Sequence, residues 1–258
     1  MTLVQRVLIS AQSLVDRFGI LDSKVGRGVY FKVYLFYKKN YESKSLREAL
    51  KYLQLSAQNV SIRTTLDIGA HIGSSTYLIG EAFPDSQIIA FEPDLRNCQF
   101  YRQIHSRQIS QRKIVLVEKA VWKTSGKIPF SFEKSNTANN KFSPQSKQSV
   151  SCISIDDYVK QNRLNIDLVK IDVQGFELEV LQGTVLTLTQ QKPLILMEID
   201  LESLNWRNHD LAHLVKSVRR FGYRIVNTRD GSEVTEVELE SLLENNHCLD
   251  FLLEPSLS

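Results

Sequence analysis

The chain predicts an α/β fold with a largely parallel sheet covered by helices on both faces. Three observations carry that expectation. From Ile62 onwards, strand-like apolar runs alternate with helical stretches. The stretch Thr65-Leu66-Asp67-Ile68-Gly69-Ala70-His71-Ile72-Gly73-Ser74-Ser75-Thr76 runs from an apolar strand through a small-residue turn into a helix. Such a turn lets backbone approach a nucleotide-like ligand closely. Twenty-five positions after Asp67 a second apolar run ends in an acid, Ile88-Ile89-Ala90-Phe91-Glu92-Pro93. A carboxylate there can accept both hydroxyl hydrogens of a ribose.

Residues 1–60 read as a helical segment and 61–258 as the α/β domain. Leu3, Val7, Leu14, Val15 and Phe18 form a loose helical stripe. That stripe suits packing on the domain, with peripheral contact to a membrane or a partner as the alternative. Val29 to Tyr37 fits either strand or helix, and Ser45-Leu46-Arg47-Glu48 has the form of a helix start with a capping box. Strand-like runs follow at 63–68, 87–91, 113–117, 127–132, 150–155, 167–172, 193–199, 223–227 and 247–253. Helical stretches lie at 74–83, 94–105, 176–189 and 209–221. A polar, acidic stretch without an obvious crossover helix separates the last two strands, so an antiparallel return at the sheet edge is expected. The 133–149 stretch is polar and turn-rich, either a surface loop or a lid over bound substrate.

Bulk composition bounds the function. With 42% hydrophobic and 24% charged residues the chain has the make-up of a soluble globular protein. A net charge of +3, with Lys38-Lys39 and Arg219-Arg220 as isolated pairs, gives no basic track for nucleic acid. Cys98, Cys152 and Cys248 lack CxxC spacing, so neither a disulfide framework nor a zinc site is expected. They point to a reducing compartment, hence a cytoplasmic location. No run approaches the roughly 18 apolar residues of a transmembrane helix. Arg6, Asp16 and Arg17 break any signal-peptide core.

In a parallel sheet the ligand lies beyond the carboxyl ends of the strands, where strand order reverses. Asp67, Glu92 and Asp172 each follow an apolar run and fall at such ends. The loop reads D-x-G-x-x-x-G, without the middle glycine of a diphosphate-cradling G-x-G-x-x-G; His71 stands near its place. Asp67 before the first glycine would repel a diphosphate. It suits instead the ammonium and sulfonium of S-adenosyl-L-methionine, which carries no phosphate. The charge logic therefore prefers that cofactor over NAD.

TLDIGAHIGSST, IIAFEPD, SCISIDDYV, LVKIDVQGFELEVLQG and LILMEI, in this order over residues 62–200, resemble the FkbM-type methyltransferases. The resemblance implies a seven-stranded, Rossmann-like class I methyltransferase fold. It also implies S-adenosylmethionine as donor and a hydroxyl oxygen of a sugar, glycan or secondary metabolite as acceptor. His71 stands where that family commonly has Asn, and Gln174 where it has Glu. Carried over, it puts Asp67, Gly69 and Gly73, with Ala70, His71 and Thr76 of the same loop, around the methionine portion. Glu92, with Pro93 beside it, falls at the ribose, and Lys119-Ala120-Val121 near the adenine. The alternatives are that Gly69 and Gly73 only shape a turn and that Val121 and Trp122 are core.

A sugar hydroxyl is a poor nucleophile at neutral pH, so a positioned base is expected. Asp172 is the first candidate; holding the cofactor's ammonium is its rival role. Lys170 lies two residues earlier and so on the same strand face, as an electrostatic aid or as a structural ion pair with Asp172. Glu177 is either a base or a helix-start carboxylate. Glu198 ends the fifth strand and could face the acceptor. No metal is expected: His209 and His213 are four apart but have no third ligand. Two competing functions are an NAD-dependent oxidoreductase or epimerase, for which no Tyr-x-x-x-Lys pair follows at the expected place, and a non-catalytic cofactor-binding module.

Overall fold

A computed structural model describes residues 44–56, 61–132, 141–206, 211–228, 230–246 and 248–256. The expectations for residues 1–43, for His209 and for 133–140 lie outside the described residues. Helix α1 (Lys44–Ser56) precedes strand β1 (Thr64–Ile68), helix α2 (Ser74–Ala82), strand β2 (Gln87–Phe91) and helices α3 (Leu95–Ile104) and α4 (Ser106–Ser110). Strands β3 (Ile114–Val117), β4 (Ala120–Val121), β5 (Gly126–Ser131), β6 (Lys141–Phe142) and β7 (Ser149–Ile153) follow, then helix α5 (Ile155–Asn162) and strand β8 (Leu168–Ile171). Next come helices α6 (Glu177–Gln182) and α7 (Val185–Gln190), strand β9 (Leu194–Asp200) and helices α8 (Leu201–Trp206) and α9 (Leu211–Arg220). Strand β10 (Tyr223–Val226), helix α10 (Glu236–Asn246) and strand β11 (Cys248–Pro255) complete the described elements.

Seven strands form one sheet in the order β10-β11-β9-β8-β1-β2-β3. β1, β2, β3, β8 and β9 pair in parallel, and β11 runs antiparallel to both β9 and β10. The antiparallel return expected at the sheet edge is thus β11, but it lies one place in, with β10 outside it. Its Leu252 and Leu253 point to opposite faces and are both fully buried, which suits an internal strand. The acidic stretch before it does form a helix, α10, which enters the core through Leu239 and Leu243, one turn apart.

The runs at 127–132 and 150–155 do not join this sheet. They become β5 and β7 of a second, four-stranded sheet in the order β4-β7-β5-β6, where β5 and β7 pair antiparallel. Parallel pairing needs a long crossover, and among the described residues no helix lies between these two strands. The single helix expected over 176–189 is broken into α6 and α7 at Gly183. A Cβ there would lie 2.2 Å from the Trp122 carbonyl oxygen, so the chain turns where the small sheet touches it.

Alternation along the strands sorts the core into two faces. Leu66, Ile68, Ile89, Phe91, Val169, Ile171, Met197 and Leu253 pack with α5, α6, α7, α9 and α10. Ile88, Ala90, Leu168, Leu196 and Leu252 pack with Leu46, Ala49, Leu50 and Leu53 of α1, with Leu78 and Ile79 of α2, and with Tyr101 of α3. Each fully buried leucine stabilises by about 1.5–3 kcal/mol, so α1 is held as core. Helix α1 starts at Lys44, one residue before the expected cap. The Ser45 hydroxyl donates to Asp250 Oδ2 at 2.8 Å, and the Asp250 N–H donates back to it at 3.1 Å.

Candidate active site

From β1 the chain lays down β2 and β3 on one side, then returns to place β8 and β9 on the other. The reversal point between β1 and β8 opens the crevice in which such sheets bind ligands. Asp172 N–H donates to the Ile68 carbonyl at 3.0 Å, and the N–H groups of Gly69 and Ala70 both donate to the Phe91 carbonyl, at 3.1 and 3.0 Å. The loop after β1 is therefore stitched to both neighbouring strands. Gly69, at φ +83°, passes so close to β8 that a Cβ would lie 1.8 Å from the Asp172 carbonyl oxygen. A Cβ on Gly73 would lie 2.2 Å from His105 Nε2. Both glycines are thus required by neighbouring protein atoms as well as by the turn.

His71 takes φ 50°, a conformation costing a non-glycine residue about 1–2 kcal/mol. Its N–H donates to Glu92 Oε2 at 3.0 Å, which fastens the loop to the end of β2. Glu92 Oε1 accepts from the Asp94 N–H at 2.9 Å and from Asn97 Nδ2 at 3.0 Å. Burial pushes its carboxyl up to about 7, against the pull of these donors. Three donors fill three of about four acceptor positions, leaving one on Oε2 for a hydroxyl. Pro93 follows it, half-buried.

Asp67 is buried and faces the first turn of α2. Ser75 Oγ donates to its two oxygens at 3.1 and 2.9 Å, and Thr76 Oγ1 donates at 2.5 Å. Tyr101 OH in turn donates to Thr76 Oγ1 at 2.8 Å. Burial raises the Asp67 carboxyl, opposed by the Thr76 and Ser75 hydroxyls and by Lys170. Behind the loop His105 lies 3.1 Å from the Gly73 carbonyl through Nε2. A carbonyl only accepts, so Nε2 carries the hydrogen; burial lowers this ring to about 4, and it is neutral at pH 7. Ala120 and Val121 are buried; Val121 joins the main core and Ala120 packs with Trp122, Cys152 and Phe176 of the small sheet.

The register shows how the remaining acids meet. Asp67 pairs with Lys170, Lys170 with Leu196, Leu196 with Leu252, and Glu198 with Asp250. Paired residues share a face, so the α1 side of the sheet turns from apolar to charged towards its carboxyl edge. Lys170 is 2% exposed. Its Nζ donates to the Ile171 carbonyl at 3.2 Å and lies 3.0 Å from Asp250 Oδ1 and 4.0 Å from Asp172 Oδ2. The 3.0 Å contact is an ion pair whose angle falls outside hydrogen-bond geometry, so Oδ1 lacks a hydrogen bond while being balanced in charge. Burial alone would depress the Lys170 ammonium; Asp250, Asp172 and Glu198 together hold it well above its usual range. Glu198 is raised by burial and by the neighbouring Asp172 carboxyl. Cys248 contributes a thiol hydrogen bond to Glu198.

Lys170, Asp172 and Glu198 are therefore brought together. Glu177 borders them from the first residue of α6, within reach of the Asp172 charge: its Oε1 accepts from the Gly175 N–H at 3.0 Å, and burial pushes it up to about 7. Sequence reasoning missed Asp250, whose signal is an acid set inside the apolar run of β11. It also missed Tyr101 and His105, whose helix shows no sign in sequence of bracing the loop. The edge formed by Asp67, Glu92, Asp172 and Glu198 is acidic, with one ammonium already paired to Asp250. That donor set fits a cationic, ribose-bearing ligand better than a diphosphate.

A family model described as the methyltransferase FkbM domain matches residues 67–225, more than half of the chain. The FkbM methyltransferase of Methylobacillus flagellatus KT superposes with a TM-score of 0.52 at 17% identity, covering 81% of this chain and 47% of that one. The chain thus spans about half the length of that protein. The precorrin-6y C5,15-methyltransferase of Geobacter metallireducens GS-15 superposes at a TM-score of 0.44 and 14% identity, covering 80% and 86%. A fibrillarin/Nop5p complex gives 0.47 and 12%, covering 83% of each chain. No protein of curated function matches.

Proposed function

The chain belongs to the FkbM methyltransferase family, and from that premise we propose that it methylates a hydroxyl oxygen of a sugar, glycan or secondary metabolite. The family's donor is S-adenosylmethionine, so the NAD-dependent reading falls away. When bound, the donor supplies a methyl group activated by a cationic sulfur.

In this reading the loop residues Asp67, Gly69, Ala70, His71, Gly73 and Thr76 border the methionine portion. Glu92 accepts from the ribose beside Pro93, and Ala120 and Val121 back the adenine. Asp172 would take the acceptor's O–H proton as that oxygen is methylated, the bound donor supplying the methyl group. The observation that carries this role is its place. Asp172 directly follows β8 with a side chain 30% exposed, accepting from Gln174 Nε2 at 3.4 Å and lying 4.0 Å from the Lys170 ammonium. A partly solvated carboxylate can meet a substrate, whereas Lys170 at 2% and Glu177 at 3% exposure act from behind it. That accessible acid also argues against a purely binding module.

The proposed acceptor is a small molecule or glycan rather than nucleic acid, because the charge is mild and dispersed. Three free thiols accord with a cytoplasmic setting. Among the described residues no helix is long and apolar enough to cross a membrane. Peripheral membrane contact through the stripe of Leu3, Val7, Leu14, Val15 and Phe18 belongs to the same proposal.

Calorimetry with S-adenosylmethionine, S-adenosylhomocysteine and NAD, followed by a panel of hydroxyl acceptors, tests this. Asp172→Asn should keep cofactor affinity and lose turnover by about 10²–10⁴-fold. If it abolishes cofactor binding with the melting temperature intact, Asp172 is a cofactor ligand and the base assignment fails.

A further inference from the structure

Resting on the reading of Asp172 as base, we propose that Asp250 is a positioning residue that governs proton acceptance at Asp172 through the Lys170 ammonium. Lys170 Nζ lies between the two acids, 3.0 Å from Asp250 Oδ1 and 4.0 Å from Asp172 Oδ2. Asp250 cannot drift towards solvent. Its Oδ2 accepts from Ser45 Oγ at 2.8 Å and its N–H donates to the same hydroxyl at 3.1 Å, across 205 positions of sequence. Strand β11 and helix α1 therefore fix one side of the ammonium, and the other side faces the reacting carboxyl.

Stability alone is a weak reason to bury such a pair, because desolvation offsets the attraction. Control of the neighbouring acids is a stronger one. Asp172 and Glu198 are neighbouring acids, and burial together with the Asp172 charge raises the Glu198 carboxyl, so a cation beside them bears on which of the two is charged. The groups facing this pair are Lys170 from β8, Asp67 from β1, Asp250 and Cys248 from β11 and Glu177 from α6. Helix α1 contributes the uncharged Ser45. Lys170 is the one cation in that set. Asp250 decides how much of its charge reaches Asp172.

Two substitutions therefore act with opposite sign. Lys170→Met removes the cation and should raise the titration of the Asp172–Glu198 pair by about 1–3 pH units. Asp250→Asn removes a negative neighbour and leaves the ammonium to the pair, lowering its titration by about one unit. Asp250→Glu, which keeps the charge, should restore the native value. Carboxyl titrations followed by carbon NMR on the full chain read this directly. The acid limb of kcat/KM should move in the same two directions.

Shifts of the same sign, or none in either variant, overturn the proposal, because a structural role would lower activity without moving the titration apart. Opposite titration shifts with an unmoved kcat/KM limb uphold the control exerted by Asp250 and overturn the base assignment instead. Lys170→Met tests the link on its own should Asp250→Asn fail to fold.

Discussion

Gly69→Ala probes the place where the loop after β1 touches the strand that carries the proposed base. The native residue sits at φ +83°, and its missing Cβ would fall 1.8 Å from the Asp172 carbonyl oxygen and 2.9 Å from the carbonyl carbon. Both obstacles are backbone, so no side chain can swing away. A left-handed alanine costs about 1–2 kcal/mol. Forcing a methyl into a filled space costs about 1–3 kcal/mol more, because the ends of β1 and β8 must part and strain the Asp172 N–H bond to Ile68. The sum is roughly 2–5 kcal/mol. At about 2–4 °C per kcal/mol for a chain of this size, melting should fall by roughly 4–20 °C.

Gly222→Ala isolates the clash. Gly222 has nearly the same backbone, φ +79°, with nothing within 4 Å of the point where a methyl would sit. It should lose only the conformational part, roughly 2–8 °C. The functional consequence is also specific. Displacing Asp172 by the order of an ångström should lower kcat by about 10²-fold, while Gly222→Ala leaves turnover near the native value. Circular-dichroism melts and a single-acceptor rate assay suffice. Equal melting temperatures for the two variants would refute the idea that β8 presses on the loop at Gly69.

Two further predictions concern the bracing of the loop. Glu92, raised from 4.5 to about 7 by burial, is protonated in both folded and unfolded chains at low pH and contributes nothing there. Between pH 4.5 and 7 the unfolded chain ionises first, so stability falls by about 3 kcal/mol across that window. The stability difference between native protein and Glu92→Gln, from urea melts at several pH values, should therefore fall by that amount; a flat difference contradicts the assignment. Tyr101→Phe removes the hydroxyl that donates to Thr76 Oγ1 at 2.8 Å in a fully buried site. It should cost about 1 kcal/mol by urea titration, and no change would mean that the Tyr101–Thr76–Asp67 chain carries no net energy.

The elements legible in sequence are those whose signal is local. Gln87–Phe91 is read to the residue because five consecutive positions fit no helix face and a turn flanks each end. β5 and β7 are legible as strands but their membership is not, since a run of apolar residues says nothing about which sheet it joins. Helix α10 is hard to see because only Leu239 and Leu243 enter the core from an otherwise acidic stretch. Gly183 lies inside a helical pattern; its reason for being glycine, the Trp122 carbonyl, is 61 positions away in the chain. The same distance rule governs the site. Asp67, Glu92 and Asp172 stand out because each ends its own strand, whereas Asp250 acquires meaning only when β11 lies beside β9.

That difference bears on how the edge acids divide their work. All are carboxylates at strand ends on one sheet, yet their partners separate them. Asp67 accepts three hydroxyl contacts from Ser75 and Thr76, which ties it to the start of α2. Glu92 accepts three N–H donors and keeps one acceptor position, which suits it to a single neutral hydroxyl such as one of a ribose. Asp172 instead has a second acid, Glu198, and an ammonium as its neighbours. Of the three it has the neighbours that change with protonation. A base must alter its charge during turnover without collapsing its surroundings; Asp67 and Glu198 also feel Lys170 and a second acid, so what favours Asp172 in the proposed role is its partly exposed side chain beside that cation.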